Sequence, residues 1–332
     1  MPRPGLRRWS TACAIVCAAV AAALVPAPDA GAQTVAGWPA RPPRILVGFV
    51  PGGFTDIAGR MIAQGLGEVW GVQFIVDNRP GANGAIAADL TARAAPDGYT
   101  LYVASPGHTT NPILQSRIRY DPVRDFSPIS LFADIPNVLV VNPSVPARSL
   151  KEFLALARRS ELTQASSGIG SPGHLVGELL QVSANLKFVH VPYKGTGALM
   201  TDLLGGQVDF SFPTAASALP HVQRGKLRAL GIASSRRSQA YPGVPTIAEA
   251  GVPGFEVMGW YGVLGPARMP KEIVAALSDE IGRLTRRSEV RAKLLAAGAE
   301  PVGSTPEEFA AFIAADFERW TRVIRAAGIA AE

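Results

Sequence analysis

Hydrophobic residues along this chain follow two periodicities in turn. Residues 44–50, 73–77 and 99–104 are short runs rich in Val, Ile and Phe, which is typical of buried strands. Between them, residues 56–69 carry apolar side chains at helical spacing, and the Ala-rich segment 84–94 precedes a Pro-Asp-Gly turn sequence. Alternating strands and helices predict a parallel sheet with crossover helices.

A second α/β series begins near residue 137. Its predicted strands are 137–141, 162–166, 187–191, 208–212 and 227–233, and its predicted helices are 150–158, 172–184, 198–204 and 217–225. A loop rich in Pro and Gly then leads to a predicted strand at 257–264 and to C-terminal helices. We therefore predict an α/β protein with two lobes, residues 33–141 plus 257–332 and residues 142–256, and two parallel-rich sheets.

The N-terminal 32 residues have the three-part layout of a secretory signal peptide. Arg3, Arg7 and Arg8 precede an apolar run over 11–25, and Ala30-Gly31-Ala32 supplies a small-residue cleavage site. The apolar run is shorter than the roughly 20 residues that a membrane-spanning helix needs. The sequence therefore predicts export with cleavage after Ala32, and a periplasmic location.

The composition argues against thiol chemistry, nucleic-acid binding and intrinsic disorder. Both cysteines, Cys13 and Cys17, lie in the predicted signal peptide, so the mature protein would have neither disulfides nor thiol chemistry. The net charge of +6 is not gathered into a Lys/Arg stripe, which argues against a nucleic-acid-binding protein. With 48% hydrophobic and 17% charged residues, the chain is not intrinsically disordered.

Three strand-to-helix junctions are candidate binding loops, because ligands in open α/β sheets lie beyond the carboxyl ends of the strands. The first contains Gly52, Gly53, Phe54 and Asp56. Its glycines allow a tight turn, and the N–H groups of the following helix would offer a seat for a carboxylate or phosphate. A plain turn, with Asp56 as an acid in the first turn of the helix, is the alternative.

The second junction carries a glycine motif. Gly168, Gly170 and Gly173 match the G-x-G-x-x-G pattern of dinucleotide-binding loops. No acid follows the next predicted strand, however, and an exported protein has little access to NAD. The other candidate ligand-binding residues of this junction are Ser166, Ser167, Ser171 and His174. Its three serines favour hydrogen bonding to a small anion instead.

The third junction supplies Ser105 and His108 at the same sheet edge, or is simply a polar loop. The usual catalytic patterns are absent from the sequence. There is no G-x-S-x-G elbow, no H-E-x-x-H spacing and no phosphate-binding G-x-x-x-x-G-K-[ST]. We therefore predict binding without chemistry, with no catalytic residue, no metal and no cofactor.

Many multi-residue motifs, in order along nearly the whole mature chain, resemble one family. The resemblance is carried by Pro51-Gly52-Gly53, Val76-Asp77-Asn78-Arg79-Pro80-Gly81-Ala82, Pro96-Asp97-Gly98-Tyr99, Val138-Leu139-Val140-Val141-Asn142-Pro143, Val191-Pro192-Tyr193-Lys194-Gly195 and Val244-Pro245-Thr246-Ile247. The chain is thereby identified as a member of the Bug family, the solute receptors of tripartite tricarboxylate transporters.

The resemblance implies a two-lobed periplasmic binding protein with two crossing strands, expected to be a monomer. Such a receptor would close on a small organic carboxylate and deliver it to membrane permease subunits. In that family the carboxylate lies against the loop here at 52–54, and the opposite lobe contributes the loop here at 166–174. A secreted α/β enzyme acting on a small ester or acid, and a sensor subunit, are the alternatives.

Two departures from the family pattern bear on the ligand. Phe54 stands where many members have a small residue, and it adds a flat apolar wall. Pro213 and Thr214 stand where many members have Asp-Asn, which puts a ligand with an ammonium group in doubt. Thr214 is therefore included among the candidate ligand-binding residues.

Overall fold

The strands and helices of the predicted α/β pattern are present in a computed structural model that describes residues 35, 37–193, 195–257 and 259–329. The predicted signal peptide, with its two cysteines, lies outside the described residues. The strands are β1 (Arg44–Val47), β2 (Ile75–Asn78), β3 (Thr100–Ala104), β4 (Phe126–Asp134), β5 (Asn137–Val141), β6 (Leu162–Ser166), β7 (Phe188–Pro192), β8 (Phe210–Ser211), β9 (Arg228–Ala233), β10 (Trp260–Pro266) and β11 (Glu300–Pro301).

Helices flank both sheets. They are α1 (Phe54–Trp70), α2 (Ala85–Ala92), α3 (Gly107–Leu114), α4 (Leu150–Ala157), α5 (Pro172–Ala184), α6 (Thr196–Leu204), α7 (Ala215–Gln223), α8 (Lys271–Arg286), α9 (Ser288–Ala296) and α10 (Pro306–Ala326). Within the described ranges, none of these helices combines the length and low charge needed to cross a bilayer.

The first sheet has the strand order β11-β4-β10-β3-β1-β2. Strand β1 pairs in parallel with β2 and β3, because α1 and α2 carry the chain back between them. Strand β10 is antiparallel to both β3 and β4. The sheet is therefore mixed, with its parallel half built from the strands that the first βαβ pattern predicts.

The second sheet has the order β7-β6-β8-β5-β9. Strand β6 is parallel to β7 and β8, whereas β5 is antiparallel to β8 and β9. The two-lobed α/β architecture is thus confirmed, with two mixed sheets. The alternation of strand and helix does not reveal the antiparallel pairs, because they join strands that are distant in the sequence.

The predicted lobe limit after residue 141 does not coincide with the sheets. Strand β5 lies between β8 and β9 in the second sheet, so the chain passes between the sheets at Ile135–Pro136. A second passage connects β9 to β10. Ile135 N–H donates to the Gly259 carbonyl at 2.9 Å, so the two passages touch. A hydrophobic strand pattern shows that a strand forms but not which sheet receives it.

Two elements of the first lobe were not predicted from the sequence. Strand β4 contains Pro128, and helix α3 contains Gly107 and Pro112, so both patterns are interrupted by residues that usually end an element. Strand β4 nevertheless forms, because it is covered by β10 on one side and β11 on the other. Tertiary packing overrides local preference here.

Helix α10 connects the two hydrophobic cores. Phe309 and Ile313 in its first half pack with Trp260 in the first lobe. Trp320, Val323 and Ile324 in its second half belong to the core of the second lobe. Burying a large apolar side chain contributes roughly 1.5–3 kcal/mol. Helix α10 therefore ties the lobes together in addition to the two chain passages.

Candidate ligand-binding site

A cavity of about 370 Å³ lies between the lobes, and we call it the inner chamber. Its walls are mostly apolar, and its polar groups are amides, hydroxyls and backbone atoms. The lining residues are Phe49, Val50, Gly53, Phe54, Thr55, Asn83, Ser105, Pro106, Gly107, Thr110, Asn137, Gly170, Pro172, Leu175, Val176, Val257, Gly259, Tyr261 and Trp320. No charged side chain lines it among the residues that the structure describes.

The N-terminus of α1 opens into the inner chamber. Its N-cap, Gly53, has no side chain, and no side-chain cap takes up the first N–H groups of the helix. Phe54 and Thr55, the first two helical residues, both line the chamber. The free N–H groups and the positive end of the helix dipole make this wall attractive to an anion.

The carboxylate of Asp56 holds the first loop in place through hydrogen bonds. Its carboxylate accepts hydrogen bonds from Gly52 N–H (3.0 Å), from Asn78 Nδ2 (2.9 Å) and from Arg60 Nε (2.9 Å) and Nη2 (3.0 Å). Burial alone would raise the pKa of Asp56, but these hydrogen bonds outweigh it and lower the pKa from 3.8 to about 2. Asp56 and Gly52 therefore hold the loop and do not line the chamber.

The second loop, residues 166–174, uses most of its polar groups within itself. Gly168 N–H donates to Ser166 Oγ (3.2 Å), Gly170 N–H to His174 Nδ1 (3.1 Å), and His174 N–H to Ser171 Oγ (3.4 Å). Pro172, at the start of α5, has no N–H group. Of the predicted residues of this loop, only Gly170 lines the inner chamber.

Two histidines stack beneath the second loop. The rings of His174 and His190 lie 3.8 Å apart at 17°, and His190 Nε2 is 2.6 Å from Ser166 Oγ. Burial, helped by the neighbouring His174, lowers the pKa of His190 from 6.5 to about 4, so this ring is neutral at pH 7. His174 and Ser166 are buried supports of the loop, and the structure does not place them on the chamber wall.

Of the third junction, Ser105 lines the inner chamber but His108 does not. His108 is buried against Tyr120, Phe126 and Trp260, and its Nε2 lies 2.9 Å from the Pro122 carbonyl. Burial lowers the pKa of His108 to about 4. The sequence predicted that Ser105 and His108 lie at the same sheet edge. Within α3, however, the imidazole of His108 is directed into the hydrophobic core.

Thr214 lies beside the chamber rather than on its wall. It is the N-cap of α7, accepting a hydrogen bond from Ser217 N–H, and it pairs with Asn137 in an isolated β-bridge. Asn137 lines the chamber, and its Nδ2 donates to the Phe212 carbonyl at 2.7 Å. Neither Pro213 nor Thr214 lines the inner chamber.

Phe54, predicted from the sequence as a flat apolar wall, is joined in the inner chamber by two aromatic residues that sequence reasoning left out of the site. Phe54 and Tyr261 meet edge to face, with ring centroids 4.6 Å apart, and Trp320 of α10 lines the same chamber. Burial raises the pKa of Tyr261 to about 12, so its hydroxyl stays protonated. Neither Tyr261 nor Trp320 belongs to a local sequence pattern that would mark it as a site residue.

A second cavity, of about 410 Å³, adjoins the first, and we call it the outer chamber. The two share Asn83, Gly170 and Pro172. The outer chamber is lined by Asn83, Asn111, Leu114, Gln115, Ser167, Gly168, Ile169, Gly170, Ser171, Pro172 and Ile329. Ser167, Gly168 and Ser171 therefore lie near the inner chamber without lining it. Across the described ranges, no group of three or more His, Cys, Asp or Glu residues could hold a metal ion.

Comparison with known proteins agrees with this geometry. Residues 58–329 match the family model described as "Tripartite tricarboxylate transporter family receptor". The chain belongs to this family. The solute-binding role expected from the sequence is that of the family, whose members are receptors rather than enzymes.

Three solved relatives share the architecture of this receptor. Rpa4515 of R. palustris, solved with adipate, is 36% identical, has a TM-score of 0.72, and the match covers 89% of this chain and 100% of that one. MatC of Rhodopseudomonas palustris, with bound malate, is 34% identical at a TM-score of 0.68, covering 86% and 100%. A TctC solute-binding protein from Polaromonas, with no ligand, is 27% identical at 0.81, covering 87% and 99%.

Proposed function

We propose that this receptor captures a small organic carboxylate in the inner chamber and delivers it to the permease subunits of a tripartite transporter in the membrane. The observation that carries the proposal is the uncapped N-terminus of α1, which opens into a chamber whose described walls carry no charged side chain. Backbone N–H groups can bind a carboxylate there without an arginine. The adipate and malate bound to the two relatives are carboxylates of suitable size.

We further propose that the protein is exported to the periplasm, with residues 1–32 removed as a signal peptide, and that it acts as a monomer. The pattern of Arg3, Arg7 and Arg8 before an apolar run supports export. N-terminal sequencing of the protein recovered from the periplasm should begin at Gln33. Recovery of the full chain in the membrane fraction would contradict cleavage.

The lobes are proposed to close on the ligand around the passages at Ile135–Pro136 and near Gly259. The inner chamber lies between the lobes, so their closure would enclose a bound ligand. Small-angle scattering should show a smaller radius of gyration at saturating ligand. An unchanged radius would count against closure.

The test of the ligand class is calorimetry with matched acids: succinate with aspartate, glutarate with glutamate, and adipate and benzoate beside them. An ammonium group in a chamber without a carboxylate loses hydration and gains no partner. We expect the simple carboxylates to bind at least about tenfold more tightly than their amino counterparts, roughly 1.4 kcal/mol. Tightest binding of aspartate or glutamate would overturn this assignment.

Turnover distinguishes a receptor from a secreted enzyme. The ligand recovered from the complex should be chemically unchanged after prolonged incubation, which mass spectrometry can check. A product that accumulates with time would favour the enzyme alternative.

A further inference from the structure

The outer chamber contains an amide network whose orientation is fixed by the backbone. Asn111 is buried, and its Nδ2 donates to the carbonyl oxygens of Ala82 (3.3 Å) and Asn83 (3.0 Å). Because carbonyl oxygens can only accept, the amide nitrogen of Asn111 must face them. Its Oδ1 therefore points to the opposite side.

That oxygen in turn orients two further amides. Asn83 Nδ2 and Gln115 Nε2 each donate to Asn111 Oδ1, both at 3.2 Å. Each of these side chains has thus turned its nitrogen toward Asn111. The oxygens Asn83 Oδ1 and Gln115 Oε1 accept no hydrogen bond from the described residues and remain as free acceptors on residues that line the outer chamber.

The backbone that carries Asn83 is held in a rare conformation. Residues Gly81, Ala82, Asn83 and Gly84 have φ values of 135°, 45°, 50° and 89° in succession. Two of these residues are not glycine, and such a conformation costs free energy unless its surroundings impose it. The hydrogen bonds from Asn111 supply that restraint. A Cβ on Gly107 would lie 2.5 Å from the Asn83 carbonyl oxygen, so the segment is also closely packed.

The chemistry of the outer chamber differs from that of the inner one. It offers two amide oxygens and the hydroxyl of Ser167, which has no hydrogen-bond partner among the described residues, and its described lining has no charged side chain. A carboxylate placed there would face the negative ends of two carbonyl dipoles. An ammonium group would find no carboxylate. A hydroxyl group can donate to an amide oxygen and also accept a hydrogen bond.

We propose that the outer chamber is a subsite for a hydroxyl group, and that the ligand is an elongated hydroxycarboxylate whose carboxylate lies at the start of α1 and whose hydroxyl-bearing end reaches Asn83 and Gln115. This inference rests on the proposed function, and it specifies a hydroxyl as the second polar group of the ligand. Asn111 is the positioning residue that turns both amide oxygens toward the chamber.

The test uses unbranched acids of four to eight carbons in three forms: the monocarboxylate, its ω-hydroxy counterpart and the α,ω-dicarboxylate. Calorimetry on the mature protein should find a chain length at which the hydroxy acid binds at least about tenfold more tightly than both others. Gln115→Met keeps the length of the side chain and removes its acceptor, so it should reduce that preference to less than about threefold. Gln223→Met, at an exposed position at the end of α7, is the matched control and should leave the preference unchanged.

Asn83→Gly tolerates the positive φ and provides a second variant, which should also lose the preference for the hydroxyl form. Thermal unfolding of each variant shows whether it is folded. Equal affinity of the wild type for the alkyl and hydroxy acids would overturn the subsite while leaving the carboxylate receptor intact. A wild type that binds none of the acids in any form would overturn both.

Discussion

The two glycine-bearing loops that face the cleft look alike in sequence and differ in what they leave free. The first loop ends at Gly53, which cannot cap α1, so the first N–H groups of that helix remain available. The second loop ends at Ser171, whose hydroxyl caps α5, and Gly168 and Gly170 donate within the loop. An anion is therefore expected to bind the first loop, while the second provides shape.

The difference comes from where the supporting side chains lie. The carboxylate of Asp56 supports the first loop by accepting a hydrogen bond from Gly52 N–H. The first N–H groups of α1 are not used in this way and stay free toward the chamber. His174 and Ser166 stand beneath the second loop and accept from the N–H groups that the glycine motif would have offered to a ligand. A glycine motif indicates that the backbone can turn tightly. Whether its N–H groups remain free for a ligand depends on the side chains that pack against the loop.

The largest effect is expected at Gly53. A Cβ there would have only the Val50 carbonyl oxygen nearby, at 3.9 Å, so Gly53→Val should fold normally while placing its methyl groups at the anion seat. We expect carboxylate affinity to fall at least a hundredfold, which corresponds to about 2.8 kcal/mol. Gly243→Val, at an open loop position, is the control and should bind as the wild type does. Normal binding by Gly53→Val would show that the first loop is only a turn.

A smaller loss is expected from Asp56→Asn, which keeps the size of the side chain and removes the charge that holds Arg60. Affinity should fall about tenfold as the loop loosens, and stability by about 1–2 kcal/mol. The folded pKa of about 2 lies below the ordinary 3.8, so this stability is present above pH 4 and is lost as pH falls toward 2. Acid titration of the unfolding midpoint should show a shallower decline for Asp56→Asn over that range.

The second loop should respond to acid at a higher pH. The folded pKa of His190 is about 4 against 6.5 for a free imidazole, so the folded state disfavours protonation. The neutral form of His190 therefore makes its full contribution to the free energy of unfolding above pH 6.5. That contribution declines as the pH falls from 6.5 toward 4. His190→Gln should reduce the loss of thermal stability between pH 7 and pH 4.5. Because buried His108 titrates similarly, some loss should remain, and an unchanged slope would contradict this account.

The smallest effect on binding is expected from Ser171→Ala. Its hydroxyl caps α5 at 3.4 Å from His174 N–H, so its loss should lower stability by about 0.5–1 kcal/mol. Carboxylate affinity should change by less than twofold, although the sequence alone suggested a ligand contact. Chemical denaturation and calorimetry on the same variant separate the two effects. A tenfold loss of affinity without loss of stability would place Ser171 on the ligand.

The local elements were largely predictable from the sequence. Strand β6 and helix α5 have the bounds that periodicity gives, because their apolar positions and the Ser-Pro start of the helix are local signals. The order of family motifs, including those around Gly52 and Tyr193, was enough to give the receptor family. These signals depend on residues that lie close together along the chain, so they can be recognised in the sequence without knowledge of the tertiary structure.

Only the tertiary structure decided which candidate residues line the inner chamber. It placed Gly53, Phe54, Ser105 and Gly170 on the inner chamber and turned His108 into the core. It also brought Asn83, Tyr261 and Trp320 to that chamber from three separate parts of the chain. The sequence determined the elements, the glycine loops and the family. Side-chain direction and the contacts of distant segments depend on how the sheets and α10 pack, and no local pattern encodes them.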